Sequence, residues 1–547
     1  MRRREFVGSL LASAAAAQAR FGQVNVPCEW SFYGEKARRD PFSEVELNVI
    51  VTSPSGKQHR APAFWGGENV FRVRYAAGEA GLHRWSTVCS DPSDAGLHGR
   101  TGTLEVAPYT GAHPHYRHGP LRASANKRYL QHADGSPFFW LGDTWWMALV
   151  KRLHWPDDFH LLVADRVRKN FSVIQLVAGL YPDMDSFDPR GENEAGFPWQ
   201  RDYATINPAW WDMADLRVQH LVNSGLTPCV LGCWGYYLPK LGERKMKQHW
   251  RTIVARWGAY PVIWSLAGET SMPWYLSTRR DDERKELVAG WTVLARYIRS
   301  IDPFQRLITA HPSETARASV DDPAVLDFNM LQTGHSDRKS IPNTIRKVTG
   351  EYAAEPRLPV INGEVNYEGI LAASREEMQR FMFWTCLLNG ACGHTYGANG
   401  IWQVNLPGKP YGPSPHGRAW GNVTWQQAMS LPGGSQLGRA ARLLQRYPWH
   451  RFEPHPDWID PVWSEKNYEA PSCAGIPGEL RIAYLPQPAG GTYTFRSLEP
   501  GVAYRARLFD PIEGSEQEWG KAEARNGSWT MPPLEVMQDW VVILEKM

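Results

Sequence analysis

The chain has 547 residues, which at the usual domain size predicts three or four domains. Its formal net charge is only +3, so no strong electrostatic field favours a nucleic-acid partner. Aromatic residues make up 12% of the chain, with 26 tryptophans; this excess favours sugar binding, because sugar rings pack on indole rings, although β-sandwiches also bury tryptophan.

A targeting segment is predicted at the N-terminus, over residues 1–19. Twin arginines between Arg2 and Val7 are followed by a short, weakly apolar run, which is typical of a bacterial twin-arginine signal. Ala17-Gln18-Ala19 fits a cleavage site, so the mature chain is expected to begin near Arg20. The apolar run is too short to span a membrane. We therefore expect an exported protein, periplasmic or secreted, without a membrane partner; a disordered basic tail is the alternative.

Seven cysteines occur at spacings that match no zinc site. Cys28 and Cys89 lie in the first β-rich segment, where they could pair, and most of the others are expected to be small core residues. The sequence contains no phosphate loop, no dinucleotide fingerprint and neither a metalloprotease nor a serine-hydrolase motif. We therefore expect no metal and no other cofactor.

Residues 24–110 are predicted to form an immunoglobulin-like β-sandwich. The segment contains several short alternating runs that are separated by turn residues. The predicted strands include Val45–Val51, Asn69–Tyr75, Gly81–Val88 and Gly102–Val106. A stretch rich in His, Pro and Gly then forms the expected linker.

Residues 120–445 alternate between predicted strands and helices, which is typical of a parallel sheet. Eight strands over about 300 residues predict a (β/α)₈ TIM barrel. The expected strands are Phe138–Gly142, Val173–Val177, Pro228–Gly232, Val262–Leu266, Leu307–Ala310, Asp327–Leu331, Leu358–Glu364 and Ala391–Tyr396. A last helix is expected at Thr424–Gln445.

The fourth and seventh strands have the same design. In each, a proline opens an apolar run and Gly-Glu follows it, at Glu269 and at Glu364. Because barrel chemistry sits at the C-terminal strand ends, these glutamates are expected to face each other across one mouth. Such a pair of carboxyl groups is what glycoside hydrolysis needs. Either motif alone would often be only a solvated loop residue, so the assignment depends on the pair.

Residues 447–547 are predicted to form a C-terminal β-sandwich. Short alternating or apolar runs again suggest strands. These runs are Gly478–Tyr484, Gly491–Phe495, Ala503–Phe509 and Asp539–Leu544.

Four stretches of the barrel carry a family resemblance: Asp134–Trp145, Arg256–Trp264, Pro359–Glu368 and Thr395–Trp402. They resemble the retaining (β/α)₈ glycosidases and, more narrowly, the apiosidase-like family, also known as a DUF4038 domain. The first module is similar to the DUF5060 sandwich, through Phe32–Glu35, Asn48, Ser53–Gly56 and Phe64–Gly67. The last module resembles a domain once labelled collagen-binding. Together these resemblances cover nearly the whole mature chain.

The resemblance implies an O-glycosyl hydrolase that acts on plant or algal polysaccharides or oligosaccharides by retaining double displacement. Glu269 would be the acid/base and Glu364 the nucleophile, with Glu368 as an alternative nucleophile. Two positions depart from the family pattern. Gly268 stands where many relatives place an Asn that binds the sugar 2-hydroxyl, and Glu269 stands where members of the family can carry Asp.

Other strand ends supply candidates for substrate binding, all of them hydrogen-bonding groups or aromatic rings. The candidates are Asp143, Trp145, Gln175, Trp234, His311, Gln332, His335, Tyr367, Glu368, Tyr396 and Trp402. Several alternatives stay open. Asp143 could cap a helix, one of the adjacent Trp145 and Trp146 is expected in the core, and His311 and His335 could orient the nucleophile instead.

The expected partner is therefore a carbohydrate substrate. One rival is a carbohydrate-binding protein on a barrel that has lost catalysis, but the presence of both glutamates disfavours it. A second rival is a polysaccharide lyase, which would use a base and a charge neutraliser rather than two acids. The sequence leaves the sugar, the linkage and the oligomeric state open.

Overall fold

The computed structural model describes residues 19–486, 491–534 and 536–547 of the chain. Two β-sandwiches flank a parallel barrel, so the predicted multidomain fold class with a central TIM barrel is confirmed. Residues 1–18 of the predicted signal segment, which runs over residues 1–19, lie outside the described residues, and Ala19 begins the first strand. Within the described part of the chain, no helix combines the length and apolar character that crossing a bilayer requires.

The first unit is a sandwich of two sheets around a core that includes Trp30 and Trp85. Its elements are β1 (Ala19–Gln23), β2 (Pro27–Tyr33), α1 (Pro41–Glu44), β3 (Leu47–Thr52), β4 (Gln58–Pro62), β5 (Phe64–Trp65), β6 (Val70–Ala76), β7 (Gly81–Cys89) and β8 (Thr101–Ala107). One sheet has the order β1-β8-β7-β3-β4 and the other β2-β6-β5. Buried and exposed residues alternate along β7, as a sheet with one face on a core requires.

A short connecting region leads into the barrel. It comprises α2 (Pro114–His118), β9 (Leu121–Ala123), β10 (Leu130–His132) and β11 (Pro137–Phe138). The barrel elements are β12 (Trp140–Thr144), α3 (Asp157–Arg168), β13 (Val173–Val177), α4 (Pro208–Asn223), β14 (Thr227–Leu231), α5 (Tyr237–Trp257), β15 (Ile263–Ser265), α6 (Arg280–Ile301), β16 (Ile308–Thr309), β17 (Asn329–Gln332), α7 (Ile341–Ala353), β18 (Val360–Glu364), α8 (Glu376–Leu388) and β19 (Gly393–Tyr396).

The eight barrel strands are parallel, in the order β16-β15-β14-β13-β12-β19-β18-β17. The ladder is open only between β16 and β17, the two ends of this order. Other hydrogen bonds span that seam: the Asp327 N–H donates to the Ile308 carbonyl at 2.8 Å, and the Thr309 hydroxyl donates to the Phe328 carbonyl at 3.0 Å. The barrel is therefore nearly closed, and its strands end at one common mouth.

The predicted helix Thr424–Gln445 is wrong as a single element. The structure has two helices there, α9 (Trp425–Met429) and α10 (Pro432–Gln445). Thr424 and Gln427 form a reciprocal capping box at the start of α9. Pro432 takes a first-turn position of α10, where its missing N–H costs nothing, and Leu431 before it is extended. The proline therefore separates the two helices.

The last unit is a second two-sheet sandwich. Its strands are β20 (Glu453–Pro454), β21 (Ile459–Asp460), β22 (Ser472–Ile476), β23 (Leu480–Leu485), β24 (Thr494–Phe495), β25 (Tyr504–Phe509), β26 (Glu516–Ala522), β27 (Trp529–Thr530) and β28 (Trp540–Lys546). One sheet has the order β20-β22-β23-β28-β25-β26 and the other β21-β24-β27. The larger sheet packs on α8 of the barrel, where the rings of Trp384 and Tyr484 stack with centroids 6.2 Å apart.

Buried ion pairs join both sandwiches to the barrel. On the N-terminal side, Arg74 of β6 donates to Asp215 of α4 at 2.6 Å, and Arg256 of α5 donates to the same carboxylate at 2.8 Å. On the C-terminal side, Arg380 of α8 and Asp539 form a two-bond pair with both distances 2.6–2.7 Å. Charges that are buried at such junctions must be paired, so these contacts fix how the units meet.

The suggested pairing of Cys28 with Cys89 is wrong, because all seven cysteines are free thiols. Cys28 lies on β2 of the small sheet, where its thiol donates to the Tyr75 carbonyl at 3.2 Å. Cys89 ends β7 in the opposite sheet and lies opposite Leu47. The two cysteines therefore belong to different layers of the sandwich.

We predict that the Arg380–Asp539 pair stabilises the chain. Both side chains are about 95% buried, so Arg380→Ala leaves an unpaired buried carboxylate and should cost about 3–5 kcal/mol of unfolding free energy. Urea unfolding measures the loss. The matched control is Arg451→Ala, because the Arg451–Glu479 pair lies in solvent and should contribute little to stability. Equal losses in the two variants would contradict the prediction.

Candidate active site

Glu269 lies four residues beyond the end of β15. The apolar strand is buried, and Ala267-Gly268 carries the chain out of it. Glu269 itself has a left-handed backbone with φ +41°, a conformation that costs energy for a residue with a side chain. Such strain persists where the surroundings fix it, and it clusters at functional sites.

Trp234 explains why the residue before Glu269 is glycine. A parallel bridge places Trp234 next to Gly268 across the barrel mouth. A Cβ atom on Gly268 would lie 2.2 Å from two ring atoms of Trp234, far inside contact distance. An asparagine therefore does not fit at this position. The space that its side chain would take is filled by the indole, whose Nε1 lies 3.3 Å from Glu269 Oε2 and donates to it.

Glu364 is the last residue of β18 and is 5% exposed. Three side chains surround its carboxylate. His335 Nε2 lies 2.7 Å from Oε1, Gln332 Nε2 donates to the same oxygen at 2.9 Å, and His311 Nε2 lies 3.0 Å from Oε2. A buried carboxylate needs such partners to remain ionised.

One amide connects the two carboxylates. The strand register places Gln332 of β17 beside Glu364, at a β-bulge of the kind often found next to active sites. Its Nε2 donates to Glu364 Oε1 at 2.9 Å and to Glu269 Oε1 at 3.3 Å. These two oxygens are therefore no farther apart than the sum of the two distances, 6.2 Å.

The two carboxyl groups have opposite pKa shifts. Loss of solvent around Glu269, then the negative charge of Glu364 and that of Asp183, raise the pKa of Glu269 to about 7. Burial alone would also raise the pKa of Glu364, but the hydrogen bonds and charges of His311 and His335 outweigh it and hold that pKa well below its usual range. Near neutral pH one group can therefore give up a proton while the other stays ionised.

The two glutamates line a cavity of about 310 Å³ at the barrel mouth. Of the predicted candidates, Trp234, Gln332, His335, Tyr367 and Trp402 line it with them. The ring of Tyr367 stacks between its two neighbours, with centroids 4.9 Å from His335 and 6.1 Å from Trp402. The cavity thus combines acceptors for hydroxyl groups with flat apolar faces.

The structure corrects six substrate-binding predictions, because these side chains do not line the cavity. Asp143 is fully buried and accepts from Arg166 and from Trp145, each at 2.6 Å, so it neither faces the cavity nor caps a helix. Trp145 is core, and its neighbour Trp146 lines the cavity instead. Gln175 is also fully buried and donates to the Gly363 carbonyl at 2.7 Å.

The other three corrected residues are Glu368, Tyr396 and His311. Glu368 and Tyr396 bond to each other, and Glu368 also accepts from the Gly433 N–H at 3.1 Å, so its carboxyl is turned toward α10. His311 is fully buried behind Glu364, where it contacts the carboxylate rather than the cavity. A strand-end position alone therefore did not decide which side chains reach the mouth.

Several lining residues were not predicted from the sequence. They come from the loops after β13, β15, β18 and β19 and from the first residue of α6, and they are Pro182, Asp183, Met272, Tyr275, Arg280, Ile370, His416, Arg418 and Trp420. Tyr275 and His416 stack with centroids 4.8 Å apart, which closes one side of the cavity. No local sequence pattern predicts that these loop residues line the cavity. The high content of aromatic residues is the only sequence feature that points to them.

Two other features bear on the choice of site. Among the described residues, no group of three or more His, Cys, Asp or Glu side chains is arranged to hold a metal ion. A cavity of about 420 Å³ lies between the barrel and the C-terminal sandwich. Of its three carboxylates, Glu469 and Asp539 are ion-paired with Arg338 and Arg380, and Glu377 lies in the first turn of α8.

Comparison with known proteins agrees with this geometry. The family model described as Apiosidase-like, catalytic domain, matches residues 124–451, and the model of a domain of unknown function, DUF5060, matches residues 23–90. No curated protein sequence matches the chain significantly.

Solved structures share the fold at low sequence identity. A glycoside hydrolase aligns with TM-score 0.65 and 23% identity over 79% of this chain and 97% of its own. A family 5 glycoside hydrolase from Bacteroides vulgatus aligns with TM-score 0.66 and 23% identity over 79% and 94%. A second Bacteroides vulgatus protein, provisionally described as a glycoside hydrolase, aligns with TM-score 0.72 and 17% identity over 96% and 100%.

We predict that Gly268→Ala destabilises the chain, because the added methyl group overlaps the Trp234 ring; overpacking of this kind typically costs about 1–3 kcal/mol. Gly350→Ala is the matched control, since Gly350 lies in α7 with open space around it and the change should be neutral or stabilising by up to about 1 kcal/mol. Thermal unfolding of both variants measures the difference. Equal midpoints would show that the Trp234 ring can move away.

Proposed function

From the premise that the chain belongs to the apiosidase-like family of glycoside hydrolases, we propose that it cleaves O-glycosidic bonds with retention of configuration. In this proposal Glu364 is the nucleophile and Glu269 the general acid and base. The substrate is a saccharide of plant or algal origin, and the enzyme acts after export through its twin-arginine segment. Glu269 stands where members of the family can carry Asp, so the proposal does not extend to apiose itself.

The reaction has two displacements. Glu364 attacks the anomeric carbon while Glu269 gives its proton to the leaving oxygen, which yields a glycosyl ester of Glu364 and a free alcohol. Glu269, now ionised, takes a proton from water, and the resulting hydroxyl oxygen replaces Glu364 at the anomeric carbon. Both carboxyl groups then return to their starting states.

The observation that supports retention is the amide of Gln332, which donates to both carboxylates. The distance between the nearest oxygens of the two carboxylates therefore cannot exceed 6.2 Å, the sum of the two hydrogen-bond distances. Retaining glycosidases hold their carboxyl groups about 5–5.5 Å apart, whereas inverting enzymes need about 6.5–9.5 Å to admit water. This limit, which applies to one oxygen of each carboxyl group, favours the retaining spacing.

Electrostatics supports the division of roles. Burial and the charge of Glu364 raise the pKa of Glu269 to about 7, which keeps it protonated and able to act as an acid. The surrounding histidines keep Glu364 ionised and able to attack. The aromatic walls that include Trp146, Trp234 and Trp402 suit the apolar faces of a sugar ring.

We predict that Glu364→Gln lowers kcat on the order of 10⁴-fold or more, because the amide is not a nucleophile. Glu368→Gln is the control, since Glu368 was the alternative nucleophile but bonds to Tyr396 away from the cavity. It should retain most of the activity. A panel of aryl glycosides and pectic oligosaccharides provides the assay, and proton NMR of the first product reports its anomeric configuration. Undiminished turnover by Glu364→Gln, or an inverted product, would contradict the proposal.

We also predict a bell-shaped dependence of kcat/KM on pH. The rate should fall above about pH 7 as Glu269 loses its proton. In acid it should fall only well below the usual carboxyl range, as Glu364 gains a proton.

The His335→Phe variant keeps an aromatic ring stacked on Tyr367, but it removes the hydrogen-bond donor and the charge that His335 places beside Glu364. The pKa of Glu364 then rises, so the acid limb should move to higher pH.

Trp402→Phe is the control for that profile, because Trp402 lines the cavity and its indole nitrogen makes no hydrogen bond to either carboxylate. Its acid limb should coincide with that of the wild-type protein. An unmoved acid limb in His335→Phe would mean that His335 does not set the ionisation of Glu364.

A further inference from the structure

The cavity contains a third carboxyl group, which belongs to Asp183 on the loop after β13. This residue is 8% exposed and lines the same cavity as Glu269 and Glu364. Its backbone is left-handed, with φ +54°, a strained conformation for a residue other than glycine. Strain of this kind is retained only where neighbouring groups hold the residue in place.

Aromatic side chains from three other segments hold this loop. The Tyr411 hydroxyl donates to the Pro182 carbonyl at 2.7 Å, and the Tyr236 hydroxyl donates to the Tyr181 carbonyl at 3.1 Å. The Asp183 N–H in turn donates to the Tyr275 hydroxyl at 3.2 Å. The carboxyl group is therefore positioned before any substrate binds.

The hydrogen bonds of Asp183 are incomplete for a buried carboxylate. Oδ2 accepts from Trp420 Nε1 at 3.2 Å, the Tyr275 hydroxyl is a second hydrogen-bonding partner of the carboxyl, and among the described residues no Lys, Arg or His comes within ion-pair distance. Asp188, five residues further along the same loop, is by contrast paired with Arg190 at 2.8 Å. Because burial is its main influence, the pKa of Asp183 is raised. An ionised carboxylate can accept about four hydrogen bonds, so acceptor capacity remains.

The surroundings indicate what supplies the missing donors. Aromatic rings make up much of the wall, among them Trp420, Tyr275 and Trp146, and such rings pack on the apolar faces of a sugar. The hydroxyl groups of that sugar then point outward around its edge. Two hydroxyls on adjacent carbons present a pair of donors that matches the two oxygens of a carboxylate.

We propose that Asp183 accepts hydrogen bonds from two adjacent hydroxyl groups of the bound sugar and thereby selects which sugar enters the cavity. The inference rests on the proposed glycosidase function and adds to it a substrate-binding residue on the β13 loop. An epimer that directs one of these hydroxyls elsewhere leaves a buried carboxylate without a partner and is rejected.

Monodeoxy substrates test this assignment. The probe is the 4-nitrophenyl glycoside that the wild-type protein cleaves fastest, together with its monodeoxy derivatives. In the wild-type protein, loss of one particular hydroxyl, or of either of two neighbours, should lower kcat/KM by about 10- to 100-fold. In Asp183→Ala the same deletions should have less than about a threefold further effect, because the acceptor is already gone. Dividing the two ratios cancels any intrinsic change in the reactivity of the deoxy sugar.

Two further variants keep the test decisive. Asp183→Asn preserves the size of the side chain and covers the case in which Asp183→Ala does not fold; it should weaken the same hydroxyl penalties. Asp188→Asn alters a carboxylate on the same loop outside the cavity lining, and its pattern of penalties should match that of the wild-type protein.

The outcomes separate this inference from the function on which it rests. Wild-type hydroxyl penalties that persist unchanged in both Asp183 variants would overturn the role of Asp183 while leaving the glycosidase intact. A wild-type protein that cleaves none of the aryl glycosides or pectic oligosaccharides would overturn the proposed function itself.

Discussion

The candidate active site depends on keeping one buried carboxylate ionised. Glu364 lies at the end of β18 and is surrounded by His311, His335 and Gln332, which offset the cost of burying its charge. Two unit charges about 6 Å apart, at an effective dielectric constant of about 20, repel by about 3 kcal/mol, which corresponds to about two pKa units. This repulsion adds to the loss of solvent around Glu269, which is the larger cause, in raising the pKa of Glu269 to about 7.

The barrel fixes the relative positions of the groups that take part in this electrostatic interaction. Glu364 and Gln332 end neighbouring strands, and the amide of Gln332 also reaches Glu269 from across the mouth. Trp234 packs so closely on Gly268 that no side chain fits there, which fixes the path of the chain just before Glu269. The two sandwiches are joined to the outside of this barrel by buried ion pairs, so they support the scaffold without entering the cavity.

The loops supply cavity-lining side chains that the strand ends do not provide. Strand ends supply both glutamates and Gln332, whereas Asp183, Tyr275, His416 and Trp420 come from loops that meet only in the folded chain. The division is common in barrel enzymes, in which rigid strands hold the reacting groups and variable loops determine what binds. In such a barrel the strand ends and the loops can therefore have separate roles, the first in chemistry and the second in binding.

The sequence by itself determined the strands, the barrel and the two glutamates, because apolar runs bounded by Pro and Gly are local signals and parallel strands must end at one mouth. Only the tertiary structure decided where neighbouring side chains point. Asp143 and Trp145 turn into a buried contact with Arg166 and the core, while Trp146 reaches the cavity. Asp183 carries no local signal at all: its place depends on contacts with residues as distant in sequence as Tyr275 and Trp420. Such contacts form between loops, whose sequences contain no periodic pattern from which the contacts could be predicted.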